Sequence, residues 1–160
     1  MTQRTVEDVR AALQALGLDT PITIFEESTA TAPQAAAAIG TELGSIVKSL
    51  CFLVDGQPVV ILAAGDRLVD QRKVADLYGV GKKKVRIADA DTTTAATGYA
   101  PGGVPPVGHI TPVPVLIDES LGRFTTVYAA AGSPNAIFPI TFARLIEITG
   151  GRVVDVAKDG

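Results

Sequence analysis

The chain has 160 residues, of which 47% are hydrophobic and 19% are charged, and its net charge at pH 7 is −3. This composition is typical of one folded globular domain and excludes a disordered chain. Because the sequence contains a single cysteine and a single histidine, it excludes an internal disulfide bond and a zinc site built from several such residues, and we expect no metal or other cofactor.

Three helices and a β-hairpin are predicted in the first half of the chain. Apolar residues at helical spacing, with capping residues at the start and a glycine after them, predict helices over residues 6–16, 31–39 and 70–78. The apolar runs 45–54 and 58–64 flank Asp55-Gly56, which is typical of a tight hairpin turn. A short strand is predicted over residues 21–25.

The second half of the chain is predicted to contain four more strands and two short helices. The strands span residues 82–87, 113–117, 123–129 and 152–156, and the helices span residues 91–97 and 142–148. The first of these strands is basic and predicts a sheet edge, and the second and third predict a hairpin around residues 118–122. The sequence has no internal repeat or linker, so it predicts a single domain over residues 1–160, of mixed α/β class. A mixed, largely antiparallel sheet with flanking helices is expected.

Lys48 is the first candidate for chemistry. Because side chains alternate across a strand, Lys48 shares a face with Ile46, Leu50, Phe52 and Val54. One interpretation is an edge strand whose lysine extends to water and deters aggregation. The other is a lysine at the bottom of a pocket, where its ammonium faces a carbonyl or phosphate oxygen.

A glycine- and proline-rich loop is the second candidate. Residues 98–108 contain four glycines and three prolines. Glycine lets backbone amides approach a ligand closely, and proline lowers the entropy lost when a loop is ordered on binding. The loop is therefore either a binding loop or a stiff connection between two elements. A second loop of small residues, 129–135, is either a simple turn or the other wall of a pocket.

His109 and Cys51 carry the remaining reactive side chains. His109 follows the loop and would act as a general base only with a nucleophile or a water within hydrogen-bonding distance; the alternative is a structural or exposed histidine. Cys51 lies on the opposite strand face from Lys48, together with Val47 and Ser49, where we expect it to be a buried packing residue.

Basic side chains are concentrated in residues 66–86, where seven of them stand against three acidic ones. Four lie close together: Lys82, Lys83, Lys84 and Arg86. Such a run is either a solvated face or a patch that contacts phosphate groups. The acidic balance of the whole chain and its 5% aromatic content are not those of a dedicated DNA-binding protein, so no DNA partner is expected.

The N-terminal residues 1–8 carry charged side chains where a secretory signal needs an apolar stretch. No stretch of the sequence reaches the roughly 18 consecutive apolar residues of a membrane-spanning helix. We therefore expect a cytoplasmic protein without a membrane partner, in which Cys51 stays reduced.

Four segments, in this order along the chain, resemble the YbaK family. They are residues 46–50 (Ile-Val-Lys-Ser-Leu), 64–70 (Ala-Gly-Asp-Arg-Leu-Val-Asp), 97–99 (Thr-Gly-Tyr) and 102–108 (Gly-Gly-Val-Pro-Pro-Val-Gly). The family comprises freestanding and prolyl-tRNA synthetase-associated domains that hydrolyse mischarged aminoacyl-tRNA, and the resemblance extends from about Val6 to Val156.

The resemblance implies a compact α/β domain whose pocket accepts the aminoacylated 3′ adenosine of tRNA. It implies catalytic roles for Lys48 and for the backbone of Gly102 and Gly103, in the Gly-x-x-x-Pro loop 102–106. Pro105 stands where the family usually has a small polar residue. The substrate-binding residues that it implies are Ile46, Leu50, Tyr99, Val104, Pro105, Pro106, Gly108, Gly132 and Ser133. Some family members have a histidine near the wall formed by residues 132–135, and this sequence has none there.

The function that the resemblance implies is trans-editing, in which the aminoacyl ester at the 3′ adenosine is cleaved with a positioned water. The aminoacyl ester is already activated, so no protein nucleophile is required. Groups that donate hydrogen bonds to the developing carbonyl oxyanion suffice. The implied partners are an aminoacyl-tRNA and, as a second candidate, an aminoacyl-tRNA synthetase. Two alternatives stay open: a non-catalytic tRNA- or synthetase-binding domain, and a small-molecule-binding domain unrelated to RNA.

Overall fold

An eight-stranded sheet with helices on both faces forms the described part of the chain. This computed structural model describes residues 3–159. Met1, Thr2 and Gly160 lie outside the described residues, and Met1 and Thr2 belong to the N-terminal segment in which no secretory signal is expected. The strands are β1 (Thr23–Ile24), β2 (Ile46–Val54), β3 (Gln57–Ala64), β4 (Val85–Ile87), β5 (Val115–Asp118), β6 (Thr126–Ala130), β7 (Ala136–Thr141) and β8 (Arg152–Val154). The α-helices are α1 (Val6–Ala15), α2 (Ala32–Ile39), α3 (Gln71–Tyr78), α4 (Ala90–Thr97) and α5 (Phe142–Thr149).

The strand order is β1-β7-β6-β2-β3-β5-β8, and β4 pairs with β2 outside that path. Three neighbouring pairs are parallel, namely β2 with β6, β3 with β5 and β5 with β8, and the others are antiparallel. The predicted mixed α/β class with a mixed sheet is confirmed.

The central hairpin of β2 and β3 forms as its turn sequence predicts. Asp55 and Gly56 both have positive φ, at 49° and 81°, which matches the twist of the flanking strands. The pairing runs from Val47 opposite Ala64 to Val54 opposite Gln57. This register places Lys48 beside Ala63 in the middle of the sheet.

The predicted hairpin of residues 113–117 and 123–129 is wrong. β5 and β6 lie on opposite sides of the β2–β3 pair, where β5 pairs with β3 and β6 pairs with β2 and β7. A short 3-10 helix, Glu119–Arg123, connects them across the end of the central hairpin. Its N-cap is the buried Asp118, whose carboxylate also accepts a bond of 2.9 Å from the Val156 amide.

Two further segments differ from the predicted elements. Strand β7 is not predicted from the sequence. It contains Pro139, and proline is rare inside strands; the small residues before it resemble a loop. The predicted basic strand begins with a 3-10 turn, Lys82–Lys84, and only Val85–Ile87 pairs, along β2. None of the described helices is long and apolar enough to cross a membrane.

The two faces of the sheet are covered differently. On one face, the largest apolar cluster joins the sheet to α1, α5 and the loop after α4. On the other face, α2 covers one end of the sheet with small residues, and α3 covers the other end with Val74 and Ala75. Lys48 lies on this second face, in the space between the two helices.

Replacing Gly65 with Ala is expected to lower the free energy of unfolding by about 1–3 kcal/mol, the usual range for overpacking. A Cβ at Gly65 would overlap the Leu43 carbonyl oxygen and lie 3.0 Å from the Ala32 Cβ. The matched control is Gly81→Ala, because a Cβ there meets no atom within 4 Å. Urea unfolding of both variants measures the difference, and equal unfolding free energies for the two would contradict it.

Candidate functional site

A cleft of about 300 Å³ opens where one edge of β2 loses its strand partner. β6 pairs with Ile46 and Val47, β4 pairs with Phe52 to Val54, and the residues between them border the cleft. Its walls come from α2 and the residues before it, from the β6 end and from the loop after α4. The lining residues are Thr29, Ala30, Thr31, Ala32, Pro33, Ala35, Ile46, Val47, Lys48, Ser49, Leu50, Gly65, Gly102, Val104, Tyr128, Ala129, Ala130 and Ile137.

Lys48 lies on the floor of this cleft, half-buried. The edge-strand interpretation of this lysine is wrong, because β2 is an interior strand with partners on both sides. Its ammonium donates a hydrogen bond to the Arg67 carbonyl oxygen. Burial lowers the pKa of the Lys48 ammonium below its usual value, and the Asp66 carboxylate partly offsets this effect.

The Arg67 carbonyl belongs to the turn 64–68, which follows β3. The Asp66 carboxylate in this turn accepts two bonds from the Arg123 guanidinium, at 2.7 and 3.0 Å. These bonds hold the pKa of the Asp66 carboxyl below its usual value. The Gly65 amide donates to the Ile46 carbonyl at 2.8 Å. The partner of Lys48 is thus fixed by an ion pair on one side and by the start of β2 on the other.

The glycine- and proline-rich loop contributes two residues to the cleft, Gly102 and Val104. Within residues 3–159, their backbone amides make no hydrogen bond. The Gly103 amide instead donates to the Ala100 carbonyl at 3.0 Å, and the Gly103 carbonyl accepts from the Gly132 amide at 2.9 Å. The sequence predicts a catalytic role for the Gly103 backbone, and the structure shows its amide already hydrogen-bonded within the loop.

Other predicted loop residues lie behind the cleft and support the loop. Tyr99 is fully buried, and its hydroxyl donates to the Gly108 carbonyl at 3.0 Å. Pro105 and Pro106 are buried and do not line the cleft. The Nε2 atom of His109 lies 2.7 Å from the Pro105 carbonyl oxygen, which assigns the proton to that nitrogen.

His109 therefore has a structural environment. Burial lowers the pKa of its imidazole, so the neutral form is favoured, and the ring holds the loop through its bond to Pro105. It does not line the cleft.

The predicted second wall at residues 132–135 faces away from the cleft. A Cβ at Gly132, whose φ is 97°, would lie 2.9 Å from the Val9 Cγ2 and 3.0 Å from the Thr5 carbonyl oxygen. The Ser133 hydroxyl is bonded to Asn135 at 2.6 Å. A Cβ at Gly103 would meet the Ser133 backbone at 3.0 Å, so the two loops pack tightly against each other. Gly132 and Ser133 therefore shape the loop 102–104 from behind.

The structure spreads the four predicted phosphate-contacting residues over more than one surface. None of them lines the cleft, and Lys82 borders a neighbouring groove. Lys84 lies 3.9 Å from Asp55, at the β2–β3 turn. Arg86 and Ile87 are successive residues of β4, so their side chains point to opposite faces.

Ser49 is a cleft residue that the sequence interpretation missed. Its hydroxyl is buried and has no hydrogen-bond partner among the described residues. Alternation along β2 placed it with Cys51, on the face opposite Lys48, and gave no sign that the neighbouring edge of the strand is open. The alanines of α2 and β6 were also missed, because alanine is common in ordinary helices and strands.

Several known proteins resemble this chain over most of its length. Residues 26–148 match the family described as aminoacyl-tRNA editing domain. The chain is 37% identical over 157 residues to YwhH, an uncharacterized protein of Bacillus subtilis (strain 168), which covers 97% of this chain and 98% of that protein. It is 29% identical over 134 residues to EbsC of Enterococcus faecalis (strain ATCC 700802 / V583), provisionally described as a Cys-tRNA(Pro)/Cys-tRNA(Cys) deacylase, over 78% of this chain and 80% of that protein. A crystal structure provisionally described as a trans-editing enzyme for prolyl-tRNA synthetase has a TM-score of 0.90 and 36% sequence identity, over 99% of this chain and 100% of that one.

Replacing Asp66 with Asn is expected to lower the pKa of Lys48 further, because a neutral amide no longer favours the charged ammonium. The titration of the Lys48 side chain, followed by NMR, measures this change. The control is Asp55→Asn, which removes a carboxylate from the β2–β3 turn and should leave the Lys48 titration unchanged. A Lys48 pKa that is the same in Asp66→Asn and the wild type would contradict the electrostatic link.

Proposed function

The chain belongs to the aminoacyl-tRNA editing domain family, and from that membership we propose that it removes the amino acid from mischarged tRNA by hydrolysing the ester at the 3′ adenosine. The observation that carries the proposal is the ammonium of Lys48 on the floor of a cleft. The wall of this cleft includes Gly102 and Val104, whose amides have no hydrogen bond within the described part of the chain. Three hydrogen-bond donors beside one cleft are suited to a developing oxyanion.

The proposed reaction begins when a water attacks the carbonyl carbon of the aminoacyl ester. Negative charge then develops on the carbonyl oxygen, where Lys48 and the two amides stabilise it. The bond between the carbonyl carbon and the ribose oxygen breaks, the ribose oxygen takes up a proton, and the free amino acid and the tRNA hydroxyl are released.

Proton transfer in this scheme is assigned to the substrate and water. Among the described residues that line the cleft, Lys48 and Tyr128 are the ionisable ones, and no carboxylate, thiol or imidazole is present. The 2′/3′ hydroxyl or the amino group of the substrate is therefore the proposed acceptor of the water proton.

The size of the cleft supports a small amino acid as the group that is removed. Ala32 and Ala35 of α2 and Ala130 of β6 line the cleft with small side chains, and its volume of about 300 Å³ leaves little room for a large side chain. A pocket of this kind discriminates by roughly 10–200-fold per methylene, which predicts a preference and no absolute selection. The relatives described as acting with prolyl-tRNA synthetase or on Cys-tRNA(Pro) make tRNA(Pro) the first substrate to test.

The direct test is a panel of aminoacyl-tRNAs incubated with the purified protein, with ester loss measured above the uncatalysed rate. Turnover of tRNA(Pro) charged with a small amino acid is expected. Binding of tRNA without turnover of any member of the panel would instead support the non-catalytic tRNA-binding alternative.

Lys48→Met is expected to lower kcat by ~10²–10³-fold, because it removes one donor to the oxyanion and keeps the length of the side chain. The control is Arg144→Met, which removes one positive charge from α5, on the opposite face of the sheet. Wild-type turnover by Lys48→Met would contradict the catalytic role of this lysine.

The pH dependence provides a second readout on the same pair of variants. The positive charge of the Lys48 ammonium stabilises the oxyanion, so lysine-dependent turnover is present below the Lys48 pKa and is lost as the pH rises through it. Burial moves that pKa below the usual lysine value. The pH profile of log kcat/KM, corrected for uncatalysed hydrolysis, should fall at this pKa for the wild type. The profile of Lys48→Met should show no such fall.

Ala130→Leu is expected to narrow the cleft and to change specificity more than stability. Its side chain lies on the cleft face of β6, with Tyr128, and is half-buried. Turnover of tRNA carrying the larger amino acids should fall by ~10-fold or more relative to tRNA carrying the smallest. The control is Ala11→Leu, at an exposed position of α1. Equal losses for all amino acids would show that Ala130 does not contact the aminoacyl group.

A further inference from the structure

A second groove, of about 360 Å³, adjoins the cleft on the same face of the sheet. Its floor is formed by Lys48, Leu50 and Phe52 of β2. One wall is Ile87 of β4, and the opposite wall is the segment 68–71 that leads into α3. Lys48 and Leu50 also line the cleft, so the two cavities adjoin at these residues.

The groove has apolar walls that are exposed to solvent. Leu68 is 64% exposed and Ile87 is 57% exposed, although both are large aliphatic residues. Phe52, at 4% exposure, closes the floor between them. Exposed apolar side chains on two facing walls are suited to contact with both faces of a flat ring.

The rim of the groove carries two lysines, Lys82 and Lys158. Neither is in an ion pair within the described residues. The one carboxylate of the described lining, that of Asp70, accepts bonds from the Arg72 and Lys73 amides at the start of α3. The groove therefore combines apolar walls with a positively charged rim.

Lys158 is held in place by the C-terminal segment. Its amide donates to the Leu68 carbonyl at 2.8 Å, and the neighbouring Ala157 forms a bridge with Val69. The Lys73 ammonium also binds the Ala157 carbonyl at 2.7 Å. This wall of the groove is thus formed before any ligand binds, which lowers the entropy lost on binding.

We propose that this groove binds the penultimate nucleotide of the tRNA 3′ end, with its base between Leu68 and Ile87 and its phosphates beside Lys82 and Lys158. The inference rests on the proposed function, which places the aminoacylated 3′ adenosine in the adjoining cleft. Single-stranded nucleic acid combines flat bases with regularly spaced negative charges, and its binding sites combine contacts to the base faces with cations along the backbone. Because the groove adjoins the cleft at Lys48, the tRNA 3′ end is favoured as the occupant over a peptide.

A binding experiment tests the groove independently of turnover. The trinucleotide CCA is expected to shift the methyl NMR signals of Leu68 and Ile87, whereas adenosine 5′-monophosphate, which lacks the penultimate nucleotide, leaves them unshifted. The double variant Leu68→Ser/Ile87→Ser should weaken CCA binding by about tenfold. Its control is Ile24→Ser, because Ile24 is 61% exposed and lies on β1, at the far side of the sheet. Absent methyl shifts with CCA, or the same shifts with both probes, would overturn the proposal.

Kinetics with two substrates of different length tests which part of the RNA contacts the groove. With aminoacyl-tRNA, Leu68→Ser/Ile87→Ser is expected to lower kcat/KM by about tenfold. With the corresponding 3′-O-aminoacyl adenosine, kcat/KM should equal that of the wild type, because this substrate ends before the groove. Equal losses on both substrates, or no loss on either, would overturn the assignment. Failure of the wild type to hydrolyse both substrates would instead refute the proposed function, and the CCA experiment would still test the groove.

The salt dependence tests the lysines. For Lys82→Gln/Lys158→Gln, the slope of log affinity for CCA against log salt concentration should flatten by about 1.4, since each contact to single-stranded nucleic acid contributes about 0.7. The control Arg10→Gln/Arg144→Gln removes the same net charge from α1 and α5 and should keep the wild-type slope. Equal slopes for the two double variants would contradict the proposed contacts of Lys82 and Lys158 with phosphate groups.

Discussion

A half-buried ammonium on an interior strand is the constraint on which the other features of the site depend. Removing a charge from water is unfavourable unless polar groups replace the lost hydration. The Arg67 carbonyl supplies one such group to Lys48. That carbonyl is available because Gly65 lets the chain turn close to Leu43 and because Asp66 is paired with Arg123. The contacts that stabilise the turn are therefore also the contacts that orient the lysine.

The open edge of β2 explains why ligand-accessible space lies beside that lysine. A strand with continuous partners on both edges would leave its backbone fully paired, but β6 and β4 each pair with one end of β2. The loop 102–104 and the small residues of α2 approach the opening without filling it. Lys48 and Leu50, which border both the cleft and the groove, lie along the same gap. One interruption in the sheet thus underlies the whole candidate surface.

Features that depend on neighbouring residues were predictable from the sequence. The turn at Asp55-Gly56 follows from local backbone preferences. The start of α2 at Thr31 does so too, because its side chain accepts a bond from the Gln34 amide. Features that depend on distant pairing were not predictable. β5 and β6 are adjacent in sequence and look like a hairpin, yet each pairs in parallel with a strand more than 50 residues away.

The sequence by itself determined the face on which Lys48 lies, the extent of the glycine- and proline-rich loop and the family resemblance, because side-chain alternation and turn chemistry are local properties. Only the tertiary structure decided that β2 is interior, that the Gly102 and Val104 amides have no hydrogen bond among residues 3–159, and that Gly132 packs against Val9. Each of these depends on contacts between residues far apart in the chain. The burial and the free hydrogen-bonding groups of a side chain or an amide are set by such contacts, and no local pattern encodes them.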